Sequence, residues 1–136
     1  MRIMAVDFGD ARTGIAVSDP TGMIAGRAWT IYGRSESKVA LQIADAVKET
    51  GTERIVVGHP LNMNGTPGER AEKCRCFAEM LRDLTGLDVV MWDERRTTVD
   101  AYRVLHENGR NQKNSRGKVD AVAATLILEG YLGCIR

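Results

Sequence analysis

Short apolar runs alternate along this chain with longer segments whose apolar residues recur every three or four positions. The short runs are typical of β-strands, and the longer periodic segments are typical of helices packed on a core. We therefore predict elements in the order β-β-β-α-β-α-β-α-α. The predicted strands are residues 3–6, 15–19, 23–32, 54–58 and 87–92. The predicted helices are residues 36–50, 66–84, 97 or 98–106 and 119–132.

The order of these elements predicts the arrangement of the sheet. Asp19-Pro20-Thr21-Gly22 has the composition of a tight turn and joins the second and third strands into an antiparallel meander. The fourth and fifth strands each follow a helix, so right-handed crossovers should place them beside the first strand, away from the meander. We expect an α/β fold, with a mixed five-stranded sheet covered by helices on both faces. Residues 1–136 have the length of a single domain.

Three features mark the start of the second predicted helix. Thr66 is a good helix cap, Pro67 suits the first helical position, and Glu69 stands three residues after the cap. We therefore expect this helix to begin directly after Thr66.

Composition excludes several classes of protein. The apolar content of 43% is ordinary, and no apolar run approaches the roughly 20 residues that span a bilayer. The amino terminus lacks the layout of a signal peptide, so we expect a cytoplasmic protein without a membrane partner. A net charge of +1 gives no general attraction to nucleic acid. Cys74-Arg75-Cys76 lacks zinc-ligand spacing, and Cys74 lies at helical spacing with Phe77 and Leu81, which indicates a core position.

Acidic residues follow the predicted strands at informative points. Asp7 ends the first strand, Asp93 and Glu94 follow the fifth, and Asp120 starts the last helix. If the first, fourth and fifth strands are parallel, their carboxyl ends share one edge of the sheet, where ligands of such folds gather. Each acid alone has a structural explanation, as a hydrogen-bond acceptor in a turn, a helix cap or a first-turn carboxylate. Because all of these acids are expected at one edge of the sheet, the pattern favours a functional site there.

Carboxylates held a few ångströms apart repel one another and need a cation or a shared proton. A set of oxygen ligands without thiolates favours Mg²⁺ or Mn²⁺. Two such ions about 4 Å apart can activate water and stabilise the leaving oxygen in phosphodiester hydrolysis. The acids therefore predict a two-metal site.

A basic segment precedes Asp120 directly. Residues 110–118 carry four cations and no acid, namely Arg110, Lys113, Arg116 and Lys118. Such a segment is commonly a solvated loop, and it becomes a phosphate-binding loop only beside a catalytic site. We expect a loop that is mobile without substrate and contacts the phosphate backbone of a nucleic acid.

Four motifs together resemble one known family. They are Asp7-Phe8-Gly9 with Arg12 and Gly14, Val57-Gly58-His59-Pro60-Leu61, Asp93-Glu94-Arg95 with Thr97, and Val119-Asp120-Ala121-Val122-Ala123-Ala124. In order and spacing they resemble the YqgF/RuvX family of bacterial proteins, in the RNase H-like superfamily. The resemblance implies an RNase H-like fold and a cytoplasmic nuclease. The family is described as processing the 5′ end of pre-16S ribosomal RNA, and it was earlier proposed to resolve Holliday junctions.

The resemblance also assigns roles to residues. The positions that match the family's catalytic, metal-binding acids are Asp7, Glu94 and Asp120. Arg12 and Arg95 match basic positions beside them, and Lys113 matches a common loop lysine. The family usually has an apolar or aromatic residue where His59 stands, so we assign His59 no chemistry. The implied partners are structured RNA or branched DNA and ribosomal precursor particles.

Three alternatives stay open from the sequence. The chain could resolve branched DNA, or it could be a non-catalytic module that binds RNA or the ribosome. The segment from Asp7 to Gly14 also fits the Asp-x-Gly-x-x-x-x-Gly phosphate loop of actin-like and sugar-kinase ATPases. Those proteins close two domains around a nucleotide, and each of their domains exceeds this chain in length, which disfavours ATP hydrolysis.

Overall fold

A computed structural model describes residues 1–96 and 116–135, with backbone alone for residues 96 and 116–120. The strands are β1 (Ile3–Asp7), β2 (Arg12–Ser18), β3 (Ala25–Tyr32), β4 (Arg54–His59) and β5 (Asp88–Asp93). The helices are α1 (Glu36–Thr50), α2 (Glu69–Thr85) and α3 (Arg116–Ile135), and a short 3-10 turn, Glu94–Arg96, follows β5. None of the helices in the described part of the chain is long and apolar enough to cross a membrane.

The sheet has the predicted topology. Its strand order is β3-β2-β1-β4-β5, with β1 at the centre. The first three strands pair antiparallel, whereas β4 runs parallel to both β1 and β5. The carboxyl ends of β1, β4 and β5 consequently meet at one edge of the sheet, as the sequence predicted.

Helices cover both faces of the sheet, and β1 shows how its residues divide between them. Met4, Val6 and Phe8 point into the cluster formed with α1 and α2. Ile3 and Ala5 point into the cluster on the opposite face, where the partners are residues of α3. Because successive side chains of a strand alternate between faces, Asp7 belongs to the α3 face. The covered sheet confirms the predicted fold class.

The last helix buries one side more completely than the other. Its buried residues are Ala124, Ile127, Leu128, Tyr131 and Leu132. Thr125 and Leu126 between them are only half-buried. The helix therefore turns a buried face towards the sheet, and Glu129 on another side of it is exposed.

The predicted start of α2 is wrong. The helix begins at Glu69, with Gly68 as its cap residue and no side-chain cap. Thr66 is used by the preceding turn: its hydroxyl lies 2.7 Å from Asn64 Oδ1 and accepts from Asn62 Nδ2 at 3.1 Å. A threonine engaged in this turn cannot also cap the helix.

Two of the other boundaries that differ from the prediction bear on the site. Strand β2 begins at Arg12 rather than residue 15, and Gly14 lies within it, opposite Asp7. Helix α3 begins at Arg116, so residues 116–118 of the predicted basic loop are helical. The predicted helix of residues 97 or 98–106 and the rest of that loop lie outside the described residues.

Candidate active site

The carboxylate of Glu94 lies over β4, between the ends of β1 and β5. It occupies the space above Gly58: a Cβ atom at Gly58 would stand 2.5 Å from Glu94 Oε1 and 2.8 Å from Ile127 Cδ1 of α3. Both distances are shorter than atoms tolerate, so glycine is required here for Glu94 to lie in this position. This places Glu94 on the α3 face of the sheet, the same face to which Asp7 belongs.

The electrostatics of Glu94 reflect this position. Burial, and after it the negative charge of Asp7, raise the pKa of Glu94 to about 7, whereas the guanidinium of Arg70 opposes the shift. Asp7 and Glu94 are therefore close enough to disfavour their simultaneous ionisation. A cation bound between them would remove this penalty.

The chemistry of the neighbouring groups suits a hard divalent ion. The two carboxylates supply oxygen ligands. The nearby thiol of Cys74 is buried in the core as predicted, and burial raises its pKa to about 11, which keeps it neutral and unsuited to metal ligation. In residues 1–95 and 121–135, no three acidic, histidine or cysteine side chains converge as metal ligands. The third predicted ligand, Asp120, is the fifth residue of α3, and its side chain lies outside the description.

Asp93 and Arg95 form a separate pair beside the two acids. Arg95 Nε donates to Asp93 Oδ1 at 3.0 Å, and Nη2 donates to Oδ2 at 2.6 Å. The backbone N–H of Arg95 also donates to Asp93 Oδ1 at 3.0 Å. The hydrogen bonds from Arg95 hold the pKa of Asp93 below its usual range. Asp93 therefore caps the 3-10 turn, the structural role that the sequence left open for it.

Arg95 also reaches the loop that connects β4 to α2. Its Nη1 donates to the carbonyl oxygen of Met63 at 3.2 Å, and its guanidinium lies against Gly65. The predicted substrate-binding residue is thus engaged within the protein, and it joins the end of β5 to this loop.

Of the other predicted basic residues, Arg12 has a described side chain. Arg12 is half-buried at the start of β2, opposite Tyr32 of β3. Arg116 and Lys118 fall in the first turn of α3, where only the backbone is described, and Arg110 and Lys113 lie outside the described residues.

Sequence reasoning missed Arg70, in the first turn of α2. Its Nη1 donates to Asp10 Oδ1 at 2.7 Å, and its Nη2 donates to the carbonyl oxygen of Phe8. The available signal was its place near the start of a helix that follows a strand ending at the functional edge.

The comparisons with known proteins agree with this geometry. Residues 1–133 match the family described as "RuvX: Holliday junction resolvase". A protein of Ruminiclostridium cellulolyticum named "Putative pre-16S rRNA nuclease" is 41% identical over 133 residues, 97% of this chain and 94% of its own. A protein of Acetivibrio thermocellus with the same name is 43% identical, over 97% of this chain and 95% of its own.

Solved structures share the fold at low sequence identity. Thermus thermophilus RuvC in complex with a Holliday junction substrate aligns with a TM-score of 0.62 and 12% identity, covering 98% of this chain and 96% of its own. Fowlpox virus resolvase, solved with Holliday junction DNA, aligns with a TM-score of 0.61 and 11% identity, covering 99% of both chains. The predicted RNase H-like architecture is thereby confirmed.

Proposed function

This chain belongs to the RuvX family, and we propose that it is a divalent-metal-dependent nuclease that processes the 5′ end of pre-16S ribosomal RNA. The observation that carries the proposal is the pairing of Asp7 with Glu94 at the carboxyl edge of the sheet. The names of relatives that cover almost the whole chain support pre-16S RNA as the substrate. We expect the protein to act in the cytoplasm on RNA in ribosomal precursor particles.

We assign the metal to three carboxylates, Asp7, Glu94 and Asp120. Asp120 stands seven residues before Ile127, and residues seven apart share one face of a helix. Ile127 is the α3 residue that lies against Gly58 beneath Glu94. The position of Asp120 in the helix thus supports its membership in the same group of ligands.

The roles of the residues follow from their charges. When bound, Mg²⁺ or Mn²⁺ activates a water molecule and stabilises negative charge on the leaving oxygen. Asp7 and Glu94 hold the cation, which requires Glu94 to lose the proton that its burial favours. Arg12, Arg95 and the basic residues 110, 113, 116 and 118 contact the phosphates of the substrate, positioning the scissile bond without reading sequence.

The decisive experiment compares wild-type protein with Asp7→Asn in cleavage of a pre-16S RNA fragment at its 5′ end, with Mg²⁺ or Mn²⁺. The variant should lose divalent-dependent cleavage and keep its fold, with equal or slightly higher thermal stability, because one charge leaves a repulsive pair. Asp83→Asn, on the exposed side of α2, is the control and should cleave at the wild-type rate. Cleavage by Asp7→Asn at the wild-type rate would remove the catalytic assignment.

A second candidate substrate is branched DNA. The description of the family and the shared fold with two resolvases bound to Holliday junctions favour it. The same assay with a four-way DNA junction distinguishes the two substrates. Efficient, Asp7-dependent cleavage of the junction without cleavage of the RNA would assign junction resolution to the chain instead.

A further inference from the structure

We propose that Arg70 is a positioning residue that fixes the segment after Asp7, so that Asp7 and Glu94 form a metal-binding pair. This inference rests on the proposed nuclease function. It concerns a residue of α2, which otherwise packs on the face of the sheet opposite to the two acids.

Arg70 binds the chain on both sides of Gly9. Its Nη2 donates to the carbonyl oxygen of Phe8, and its Nη1 donates to Asp10 Oδ1 at 2.7 Å. The guanidinium carbon also lies 5.3 Å from the centroid of the Phe8 ring. One side chain thus fixes the backbone and ring of Phe8 and the carboxylate of Asp10.

The same helix holds Phe8 from a second position. The rings of Phe8 and Phe77 are stacked, with centroids 4.0 Å apart and an interplanar angle of 8°. Phe77 is fully buried, so this contact is a fixed part of the core. Anchoring Phe8 towards α2 directs the preceding residue, Asp7, to the opposite face, where Glu94 lies.

The turn after Asp7 depends on external support because it is tight. A Cβ atom at Gly9 would stand 2.1 Å from the carbonyl oxygen of Arg12. Glycine provides this close approach, but it also leaves the backbone of the turn less restrained than any other residue would. The contacts of Arg70 on either side of Gly9 supply that restraint.

A guanidinium can make these contacts with Phe8 and Asp10 at the same time, whereas an ammonium cannot. Its planar nitrogens donate in fixed directions to two different acceptors while its face covers an aromatic ring. Both terminal nitrogens of Arg70 have acceptors in the segment after Asp7, which are the contacts that a positioning role requires.

The test compares Arg70→Lys and Arg70→Gln with Arg75→Gln. Arg75 lies on the same helix, and its ion pairs with Glu72 and Glu79 face solvent. Mn²⁺ binding to the protein alone is measured by titration calorimetry, and nucleic-acid affinity is measured without metal. We expect both Arg70 variants to bind Mn²⁺ about tenfold more weakly, the size of effect seen for groups that orient metal ligands. Their nucleic-acid affinity and that of Arg75→Gln should stay within about twofold of wild type.

Two results would overturn the proposal. Wild-type Mn²⁺ affinity in Arg70→Lys would mean that charge alone is required, and weaker nucleic-acid binding with unchanged Mn²⁺ binding would make Arg70 a phosphate contact.

Should an Arg70 variant fail to fold, Asp10→Asn removes one of its acceptors at an exposed position and should still weaken Mn²⁺ binding measurably; unchanged binding would count against the proposal. If wild-type protein binds Mn²⁺ but cleaves neither RNA nor DNA, the nuclease function fails while these comparisons stand.

Discussion

Gly58 lies directly beneath Glu94, and the absence of a side chain at residue 58 is what allows the carboxylate of Glu94 to extend over β4. We predict that Gly58→Ala displaces both Glu94 and Ile127, because the added Cβ would stand within 3 Å of each. The substitution should lower kcat at least tenfold and destabilise the fold by about 1–3 kcal/mol, the usual cost of overpacking. Cleavage assays at saturating Mg²⁺ and urea unfolding measure the two effects.

The matched control is Gly133→Ala in α3, where an added Cβ would meet no atom within 4 Å. This variant should keep full activity and gain about 0.5–1 kcal/mol, because alanine favours the helix over glycine. Full activity in Gly58→Ala would mean that Glu94 does not need its observed position.

The pH dependence of the free energy of unfolding should reflect the raised pKa of Glu94. In the metal-free folded protein its pKa is about 7, above the ordinary value of 4.5 that applies when the chain unfolds. The folded state therefore binds the proton more tightly, and the resulting stabilisation is complete below pH 4.5 and is lost as the pH rises through 7. Its full size is on the order of 3 kcal/mol.

Glu94→Gln removes this dependence because glutamine does not ionise. In thermal or urea unfolding without metal, the free energy of unfolding of Glu94→Gln minus that of wild type should increase steadily between pH 4.5 and pH 7.5. Glu129→Gln, on the exposed side of α3, is the control and should follow the wild-type curve. A constant difference between Glu94→Gln and wild type across this range would show that Glu94 ionises normally.

Asp93 should serve the 3-10 turn and Arg95 rather than the metal. Asp93→Asn weakens the two-pronged pair with Arg95, and we expect a loss of about 1 kcal/mol, typical of a lost cap. The Mg²⁺ concentration for half-maximal cleavage should stay within about twofold of wild type. A rise of tenfold or more, about the size expected when a group that holds or orients the metal is lost, would make Asp93 a metal ligand.

The four basic residues near the start of α3 should contribute to binding through phosphate contacts. Changing Arg110, Lys113, Arg116 and Lys118 to alanine should weaken nucleic-acid binding. It should also reduce the magnitude of the slope of log affinity against log salt by about 3, because each lost phosphate contact lowers that magnitude by roughly 0.7–0.9. Changing Lys38 and Lys48 of α1 to alanine is the control and should leave the slope unchanged. An unchanged slope in the fourfold variant would mean that substrate is held elsewhere.

The sequence predicted the sheet and two of the site residues for the same physical reason. Strand order follows from alternation and crossover handedness, and acids that follow parallel strands must share an edge, which brought Asp7 and Glu94 together. Asp93 was less predictable, since an acid after a strand can either ligate or cap, and its contacts with Arg95, which favour the cap, depend on how the chain turns after β5.

Other features depend on packing that no local pattern records. A glycine in an apolar strand can mark a close approach, but the pattern does not say of which residue, so nothing in the sequence linked Gly58 to Glu94. Arg70 acts through the reach of a long side chain, which depends on how α2 is rotated on the sheet. Thr66 fits a helix cap and a turn equally well, and the hydrogen bonds with Asn62 and Asn64 settle the choice.

The placement of Ile127 against Gly58 and Glu94 has a consequence for synthesis on the ribosome. The site draws on β1 and is covered by α3, which lies far later in the chain, so an emerging chain exposes Asp7 long before this helix is available. Pairing across such long sequence separations also forms late in folding. We therefore expect cleavage activity to appear only after α3 has packed on the sheet, late in the folding of the chain.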